Sequence, residues 1–391
     1  MARLLFISHE ASRTGAVIQL RDLLRWVSAN TPHKITTLLL RGGDLVDDFA
    51  ALGPVLKAYT TAEAPLAARA LRKLLRVKAP TALDRAAAQL RRQPPFDLLY
   101  ANTTVAGVAM RALHGLARRC MAHVHEMPTL ISGFDPLAIQ SIRQYAHHVL
   151  VPSAVAATGL CAELGFEPDR VSVLPAFVAD RARSDLAGVQ ARQNVRMAAG
   201  LPADAWVLGV CGTGVLHKGT DLLPRLTQAL PPTVAGRPTH VVHVGQFDTA
   251  RHRLFIARDA RLLGVDDRLH LLGTSDDPAA LMAGFDVHLL PSREESFGLV
   301  VLEAATLGIP SVCFEGASGG GDFCGDGAGV TVPYLDLDAM AAATRELLAD
   351  DEKRHAFGAA ARAKWMQGHL IETAMPQWLG IVERELALAS H

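Results

Sequence analysis

Residues 291–310 read PSREESFGLVVLEAATLGIP, with two carboxylates, Glu295 and Glu303, separated by seven residues. The run from Leu299 to Ala305 is apolar apart from Glu303, which predicts a helix that is buried all round. Pro291 ends the apolar segment before it, and the Gly-Ile-Pro sequence at 308–310 is a helix stop signal.

The two carboxylates occupy different positions in this stretch. Glu303 lies inside the apolar helix, where a lone carboxylate is costly to bury unless fixed donors surround it, so we expect a partner or a bound ligand. Glu295 lies on the loop before the helix. The backbone N–H groups of Phe297, Gly298 and Leu299 then lie at the positive end of the helix, which is a favourable place for a phosphate group.

Composition bounds the class of protein. A chain of 391 residues, half of them hydrophobic, suits two domains with substantial cores. The formal net charge is zero, which argues against a nucleic-acid partner bound by bulk electrostatics. The five cysteines are scattered without metal-ligand or disulfide spacing, which favours a reducing cytoplasm. Because no apolar run reaches the length of a signal peptide or membrane span, we expect a cytoplasmic protein, at most peripheral to a membrane.

Short apolar runs alternate with helical patterns along the chain, which predicts α/β structure with parallel sheets. The first series of predicted strands is Leu4–Ile7, Ile35–Leu40, Leu98–Tyr100, Met121–Val124 and Val149–Val151. The second is Val207–Cys211, His240–Val244, Leu269–Leu272, Val287–Leu290 and Ser311–Phe314. Residues 180–205 are polar and Arg-rich, so we place the hinge between the two α/β domains there, with a helix near 190–199. A ligand is expected at the carboxyl ends of the strands.

Residues 66–78 form a basic amphipathic pattern without an acidic residue. Such a helix either covers a core with a solvated face, which is the commoner case, or lies on an anionic membrane.

Several candidate residues follow predicted strands. Gly15 and Ala16 open a helix after the first strand, where small residues let a ligand approach the backbone. His125 follows the strand at 121–124 and could hydrogen-bond a sugar or phosphate, or be a structural histidine. Lys218 lies in a turn after the strand at 207–211, before a helix expected to begin at Asp221. The turn fits neither a P-loop nor a dinucleotide fingerprint, and a diphosphate contact is the favoured role for the lysine.

Two weaker features have structural interpretations. The Asp-Leu-Asp sequence at 336–338 resembles a metal-binding D-x-D motif, but Asp338 as a helix N-cap explains it better. Residues 316–329 are glycine-rich and are expected to form a mobile loop. No metal site is predicted.

The stretch from Leu289 through Val312 resembles the signature of the retaining glycosyltransferases of the GT4 family, whose GT-B fold has two facing Rossmann-like domains. The opening Gly15-Ala16 loop, His125-Glu126 and the motifs around Val151, Val241, Gly273 and Phe285 match that family in order. The resemblance implies an acceptor-side domain at 1–185, a nucleotide-sugar-binding domain at 186–369, and a C-terminal helix, within 370–391, that returns to the first domain.

The resemblance also implies a function for individual residues. The substrate would be a nucleotide-diphosphate-sugar, with no cofactor and no metal, and the acceptor a saccharide or lipid-linked molecule, with a peripheral contact at the inner face of the membrane. Glu295, His125 and Lys218 would be catalytic. Donor-binding residues would be Gly15, Ala16, Thr213, Lys218, Gly273, Ser296, Phe297, Gly298, Leu299 and Glu303.

One residue departs from the family pattern. Family members commonly carry an arginine five residues before the lysine, and here that position is Thr213. Loss of a cation there would weaken leaving-group stabilisation by about 2–4 kcal/mol unless His217, Arg13 or another cation replaces it. An epimerase-like or phosphorylase-like GT-B protein, or a protein that binds a nucleotide sugar or lipid without turnover, is the alternative.

Overall fold

The structure is a computed structural model that describes residues 1–59, 81–180 and 188–389, without the side chains of 188–191. These residues form two compact units. Unit 1 comprises Met1–Pro152, Ala157–Leu174 and Met375–His391, and unit 2 comprises Ser153–Ala156 and Pro175–Ala374. The boundaries between the units thus lie near residues 174 and 374, whereas the expected domain limits are at 185 and 369. Those limits stay a prediction. The basic segment 66–78 lies outside the described residues.

Unit 1 contains a parallel sheet in the order β3-β2-β1-β4-β5-β6-β7. Its strands are β1 (Arg3–Ser8), β2 (Lys34–Leu39), β3 (Val55–Lys57), β4 (Phe96–Asn102), β5 (Ala117–His123), β6 (His148–Val151) and β7 (Val171–Val173). The helices between them are α1 (Gly15–Asn30), α2 (Val46–Ala50), α3 (Ala82–Leu90), α4 (Gly107–Leu113), α5 (Pro128–Ser132), α6 (Pro136–Tyr145) and α7 (Ala154–Leu164).

Unit 2 repeats this architecture, with six parallel strands in the order β11-β10-β8-β12-β13-β14 and the short β9 antiparallel to β10. The strands are β8 (Trp206–Cys211), β9 (Thr233–Val234), β10 (Arg237–Val244), β11 (Leu269–Gly273), β12 (Val287–Leu290), β13 (Ser311–Phe314) and β14 (Gly329–Val332). The helices are α8 (Gly188–Ala199), α9 (Leu223–Ala229), α10 (Ala250–Leu262), α11 (Pro278–Met282), α12 (Leu299–Thr306), α13 (Gly319–Cys324), α14 (Leu337–Ala349) and α15 (Asp351–Gly368). A last helix, α16 (Ile371–Leu388), begins in unit 2 and belongs to unit 1 from Met375 onward.

Alternating residues of the strands in unit 2 enter two separate cores. Trp206, Leu208 and Val210 of β8 pack with α9, α10 and α14 on one face of the sheet. Val207 and Cys211 pack with α8, α11 and α12 on the other face. Because both faces are covered, β8 is apolar along its whole length, as expected for a strand inside a parallel sheet. The helices thus leave the carboxyl ends of the strands as the place where polar side chains collect.

The last helix, α16, packs on unit 1 through its C-terminal part. The buried Trp378 ring lies 6.4 Å from the Phe6 ring and 6.1 Å from the Tyr100 ring. The Arg119 Nε atom donates to the Glu385 carboxylate at 2.9 Å. These contacts confirm the predicted return of the C-terminal helix to the first α/β unit.

The structure confirms all ten predicted strands and corrects four local predictions. The helix after Lys218 begins at Leu223, following a 3-10 turn at Thr220–Leu222. Residues 316–329 are not a loop, because they contain the buried helix α13 and the start of β14. The N-cap of α14 is Asp336, whose carboxylate accepts from the Ala339 amide at 2.8 Å, and not Asp338. Helix α12 is not buried all round: Leu299, Val300 and Glu303 are only partly buried.

Candidate functional site

The segment 295–298 of unit 2 is held in place by its own backbone. The Glu295 amide donates to the Ala317 carbonyl at 2.9 Å. The Ser296 carbonyl accepts from the Ser153 hydroxyl at 2.5 Å, and the Phe297 carbonyl accepts from the Gly320 amide at 2.6 Å. The segment is therefore fixed along its length before helix α12 begins.

Gly298 turns this segment into helix α12. Its φ of +83° lies in the left-handed region, which favours glycine. As the N-cap residue, glycine has no side chain with which to satisfy the amides of the first helical turn. The Val301 amide donates to the Gly298 carbonyl at 2.9 Å, whereas the Leu299 amide, at the first helical position, is left for water or for an anionic ligand.

Lys218 and Glu295 come together in unit 2. The Lys218 Nζ atom lies 3.2 Å from Glu295 Oε1 and 3.1 Å from Oε2, with both side chains partly exposed. Lys218 lies on the 3-10 turn Leu216–Lys218 after β8, and Gly219 follows with a left-handed φ of +68°. A β-carbon at 219 would lie 1.9 Å from the Pro291 carbonyl oxygen, so only glycine permits this approach of the turn to the segment that carries Glu295.

Arg293 holds the same turn. Its guanidinium donates two hydrogen bonds to Asp221, at 2.7 and 2.8 Å, and one to the Leu216 carbonyl at 2.9 Å. The bond to Asp221 raises the pKa of Arg293. Arg293 therefore ties the turn at 216–221 to the loop before α12. The role of Arg293 was not predicted from the sequence, although its place within the 291–310 stretch was a signal.

The charge missing at Thr213 is not supplied by His217. Thr213 is exposed beside Gly212, and burial lowers the pKa of His217 below its usual 6.5, so this imidazole is neutral at pH 7. Arg293 is engaged by Asp221. Arg13 is exposed and belongs to unit 1.

Glu303 lies on the less buried face of α12. The pKa of the Cys211 thiol is raised mainly by burial and also by the negative charge of Glu303. The Glu303 carboxylate therefore lies near Cys211, at the carboxyl end of β8. At the same edge of the sheet, the Gly245 amide donates to the Gly273 carbonyl at 2.8 Å. A β-carbon at Gly245 would lie 2.0 Å from the Gly212 carbonyl oxygen, so the ends of β8 and β10 approach each other as closely as backbones allow.

In unit 1, one asparagine links the predicted site residues. The Asn102 side-chain amide donates to the Ala16 carbonyl at 3.1 Å, in the first turn of α1, which begins at Gly15. That bond directs its oxygen toward His125, whose Nε2 lies 3.0 Å away. Asn102 is buried and follows no motif, so sequence reasoning missed it; its place at the end of β4 was the available signal.

His125 is held in the neutral form. Burial, with a further contribution from His9, lowers the pKa of His125 to about 3. Its ring lies 3.9 Å from the ring of His123, which Tyr100 contacts at 2.9 Å. Behind it, the Glu126 carboxylate accepts from the Thr104 hydroxyl at 2.8 Å. His125 therefore carries no charge at neutral pH.

The predicted site residues fall into two groups. Gly15, Ala16 and His125 belong to unit 1, and the others belong to unit 2. Across residues 1–59, 81–180 and 188–389, no group of three or more His, Cys, Asp or Glu side chains could hold a metal ion. No described helix is long and apolar enough to cross a membrane.

Residues 191–364 match the family described as glycosyl transferases group 1. D-inositol 3-phosphate glycosyltransferase of Kineococcus radiotolerans is 34% identical over 221 residues, 52% of this chain and 49% of that protein. O-antigen biosynthesis glycosyltransferase WclY of Escherichia coli is 34% identical over 119 residues, 30% of this chain and 31% of that protein. The aligned region thus spans less than half the length of each relative.

The fold also matches solved structures over nearly the whole chain. Anabaena Alr3699/HepE, solved in complex with UDP-glucose, superposes with a TM-score of 0.79 at 20% sequence identity, covering 98% of this chain and 100% of the other. This likeness concerns the fold alone. It includes unit 1, which the family match does not reach. Residues 191–364 thus resemble the glycosyl transferases group 1 family, and the chain has the GT-B fold.

Proposed function

We propose that this chain is a retaining glycosyltransferase of the GT4 family. It moves a sugar from a nucleotide-diphosphate-sugar to a saccharide or lipid-linked acceptor, without a cofactor or a divalent metal. The observation that carries the proposal is the contact between Lys218 and Glu295, 3.1 Å apart, at the start of the helix that carries Glu303. A cation, a carboxylate and an uncapped helix start are the groups that a diphosphate joined to a sugar would use.

A nucleotide sugar would be held mainly by unit 2. The first-turn amides of α12 and the Lys218 ammonium would bind the diphosphate, because both favour negative charge. Glu303 would accept hydrogen bonds from the ribose hydroxyls, and Glu295 from the transferred sugar. Support for this class of ligand comes from Anabaena Alr3699/HepE, whose structures hold UDP and UDP-glucose.

The chemical step depends on charge at the leaving group. As the bond from the sugar to the diphosphate breaks, negative charge develops on the phosphate oxygen, and Lys218 would stabilise it. The acceptor would attack the face from which the diphosphate leaves, so the sugar keeps its anomeric configuration. Because Thr213 and a neutral His217 add no charge, we expect slower turnover than in relatives that carry an arginine at this position.

His125 would contact the transferred sugar as a neutral imidazole. The Asn102 oxygen accepts from its Nε2–H group, which leaves Nδ1 as the nitrogen without a proton. Since the pKa of His125 is about 3, its hydrogen-bonding state would stay constant over the pH range in which such an enzyme works.

The test is release of nucleoside diphosphate from UDP-glucose, GDP-mannose and ADP-glucose, with alkyl glycosides and phosphatidylinositol as acceptors. We expect Glu295→Ala and Lys218→Ala each to lower the rate by a factor of about 100 or more. The product should have the anomeric configuration of the donor when measured by NMR.

The chain offers matched controls for these variants. Lys353 and Glu346 form another lysine–glutamate pair in unit 2, at 2.9 Å, in a more exposed setting. Lys353→Ala and Glu346→Ala should leave the rate unchanged. A normal rate in Glu295→Ala or Lys218→Ala would remove that residue from the role proposed.

Thr213 supports a second candidate, a nucleotide-sugar-binding or epimerase-like GT-B protein without glycosyl transfer. Such a protein would be stabilised by the nucleotide sugar in a thermal-shift measurement but would release no nucleoside diphosphate with any acceptor. An epimerase would instead convert one nucleotide sugar into another of the same mass, and chromatography would separate the two. Thr213→Arg should then increase binding without producing transfer.

A further inference from the structure

Helix α10 of unit 2 has an outward face that combines large apolar side chains with arginines. Its inner face, carrying Ile256 and Ala260, is buried in the core of the unit. On the opposite face, Leu254 is 66% exposed, Phe255 is 56% exposed and Leu262 is 68% exposed. Single exposed apolar residues are common on protein surfaces, but three large ones clustered on one helix form an apolar patch that calls for an explanation.

The exposed arginines lie among these apolar side chains. At about 100° per residue, the outermost arc of the helix, roughly 120° wide, contains six exposed residues. In order around the helix they are Arg261, Leu254, Arg258, Arg251, Leu262 and Phe255. Cations and apolar groups are thus interleaved on one surface, which we name the α10 face.

Acidic groups are few along this helix. Helix Ala250–Leu262 contains one acidic residue, Asp259, and four arginines, at 251, 253, 258 and 261. It lies at the edge of the α10 face, with its carboxylate 3.8 Å from Arg258. The other nearby acids lie beyond the helix ends: Asp248 contacts His252 at 3.0 Å, and 266–267 follow the helix. The face therefore keeps a local positive charge although the whole chain is neutral.

We propose that the α10 face binds an anionic lipid surface. Leu254, Phe255 and Leu262 would enter the boundary between head groups and acyl chains, while Arg251, Arg258 and Arg261 would contact lipid phosphates. Interleaved arginines and large apolar residues on a helix of low mean hydropathy are the pattern of interfacial helices that lie in the plane of a membrane. An acidic protein would match the charges but would not need three protruding apolar side chains over so short a helix.

This inference is independent of the proposed transferase activity. It concerns a surface of unit 2, formed by residues that have no role in the candidate site. It is also independent of the basic segment 66–78. The chain could bind membranes through α10 whether or not it transfers a sugar.

The test is flotation of the full-length protein with lipid vesicles at physiological ionic strength. Vesicles of phosphatidylcholine mixed with phosphatidylglycerol should carry the protein upward, and vesicles of phosphatidylcholine alone should carry about tenfold less or none. Arg251→Glu/Arg258→Glu should lower partitioning to anionic vesicles by about tenfold or more. Leu254→Gln/Phe255→Gln should also lower partitioning to anionic vesicles. This variant should abolish the spectral shift of fluorescent probes that report insertion of the helix into the membrane.

Matched controls separate this face from general charge effects. Arg345→Glu/Arg384→Glu makes the same change in charge at exposed arginines on α14 and α16, and Met366→Gln removes an apolar side chain that is 52% exposed on α15. Both controls should bind vesicles like the unmodified protein. All these positions are exposed, so the variants should fold normally, as circular dichroism would verify.

Three results would overturn the proposal. The first is equal binding to neutral and anionic vesicles, or binding to neither. The second is unchanged vesicle binding by both α10 variants, which would assign any membrane contact to another part of the chain. The third is a dimer, seen by light scattering, that the α10 variants dissociate without altering vesicle binding, because the face would then be covered by a second copy.

Discussion

The ion pair between Lys218 and Glu295 sets the chemistry of the candidate site at the level of single residues. Both side chains lie on loops that close backbone contacts hold in place, at Gly219 against Pro291 and at Glu295 against Ala317. Arg293 adds a third connection through Asp221. The charges are thus positioned before a ligand arrives, which would lower the cost of the proposed binding and of the proposed chemical step.

Buried histidines make the stability of the protein sensitive to acid. Burial lowers the pKa of His243 and of His288 to about 4, from the usual 6.5. Between these values the unfolded chain takes up protons that the folded protein does not. The free energy of unfolding should therefore fall as pH drops from 6.5 toward 4, by about 1.4 kcal/mol per pH unit for each histidine.

Urea unfolding at several pH values checks this expectation. His288→Gln removes one titrating group while keeping a polar partner for Ser311, which His288 Nδ1 contacts at 2.9 Å. The variant should lose stability less steeply on acidification than the unmodified protein. His355→Gln, at an exposed position on α15, should leave the slope unchanged. Identical slopes in all three proteins would show that His288 is not held neutral.

At the scale of elements, helix α13 supports the segment that carries Glu295. A β-carbon at Gly320 would lie 2.7 Å from the Phe297 carbonyl oxygen and 2.9 Å from Val301 Cγ2. A β-carbon at Gly319 would lie 2.4 Å from Ser153 Cβ. The glycines of α13 thus let this helix lie directly against the start of α12, and the spacing of the two helices determines where residues 295–298 lie.

Gly320→Ala should therefore push α13 away from α12. We expect it to destabilise unit 2 by about 1–3 kcal/mol, as other overpacked sites do, and to weaken nucleotide binding. The control is Gly380→Ala in α16, where an added β-carbon meets nothing within 4 Å. It should raise stability by about 0.5–1 kcal/mol, because alanine favours helix more than glycine does. Chemical unfolding measures both, and a neutral effect of Gly320→Ala would contradict the close packing described for this helix.

The apolar pattern of the strands made them predictable, whereas the prediction of a loop for the glycine-rich residues 316–329 was wrong. The ten predicted strands are mostly apolar runs, and a parallel sheet covered on both faces favours such runs. Residues 316–329 contain seven glycines, a composition typical of loops, yet Gly319–Gly321 form a buried helical turn because only glycine fits there. Local propensity could not reveal this, since the reason lies in Phe297 and Ser153, which are distant in sequence.

The candidate site was predictable where a motif carried it. The 291–310 stretch identified Glu295 and Glu303, and the strand-turn pattern identified Lys218. Asn102 and Arg293 could not be identified in the same way, because their roles arise from partners, Ala16 and Asp221, that the fold brings near. Likewise, the partial exposure of Glu303 follows from which neighbours cover α12, and hydrophobic periodicity does not report this.

For the whole molecule, two units of similar architecture divide the predicted site residues between them. Gly15, Ala16 and His125 lie in unit 1, and the residues expected to hold the nucleotide lie in unit 2. The family match covers residues 191–364, which fall within unit 2. The proposed binding of a nucleotide therefore depends most directly on residues of unit 2.

Isothermal titration of the full-length protein with UDP, GDP and ADP tests the central claim, that Lys218 and the start of α12 bind a nucleoside diphosphate. One of the three should bind saturably at a single site. Lys218→Ala should weaken that binding by about tenfold or more, since it removes a charge-assisted contact, while Lys353→Ala should leave it unchanged. Absence of binding by all three, or equal affinity in Lys218→Ala and the unmodified protein, would contradict the account.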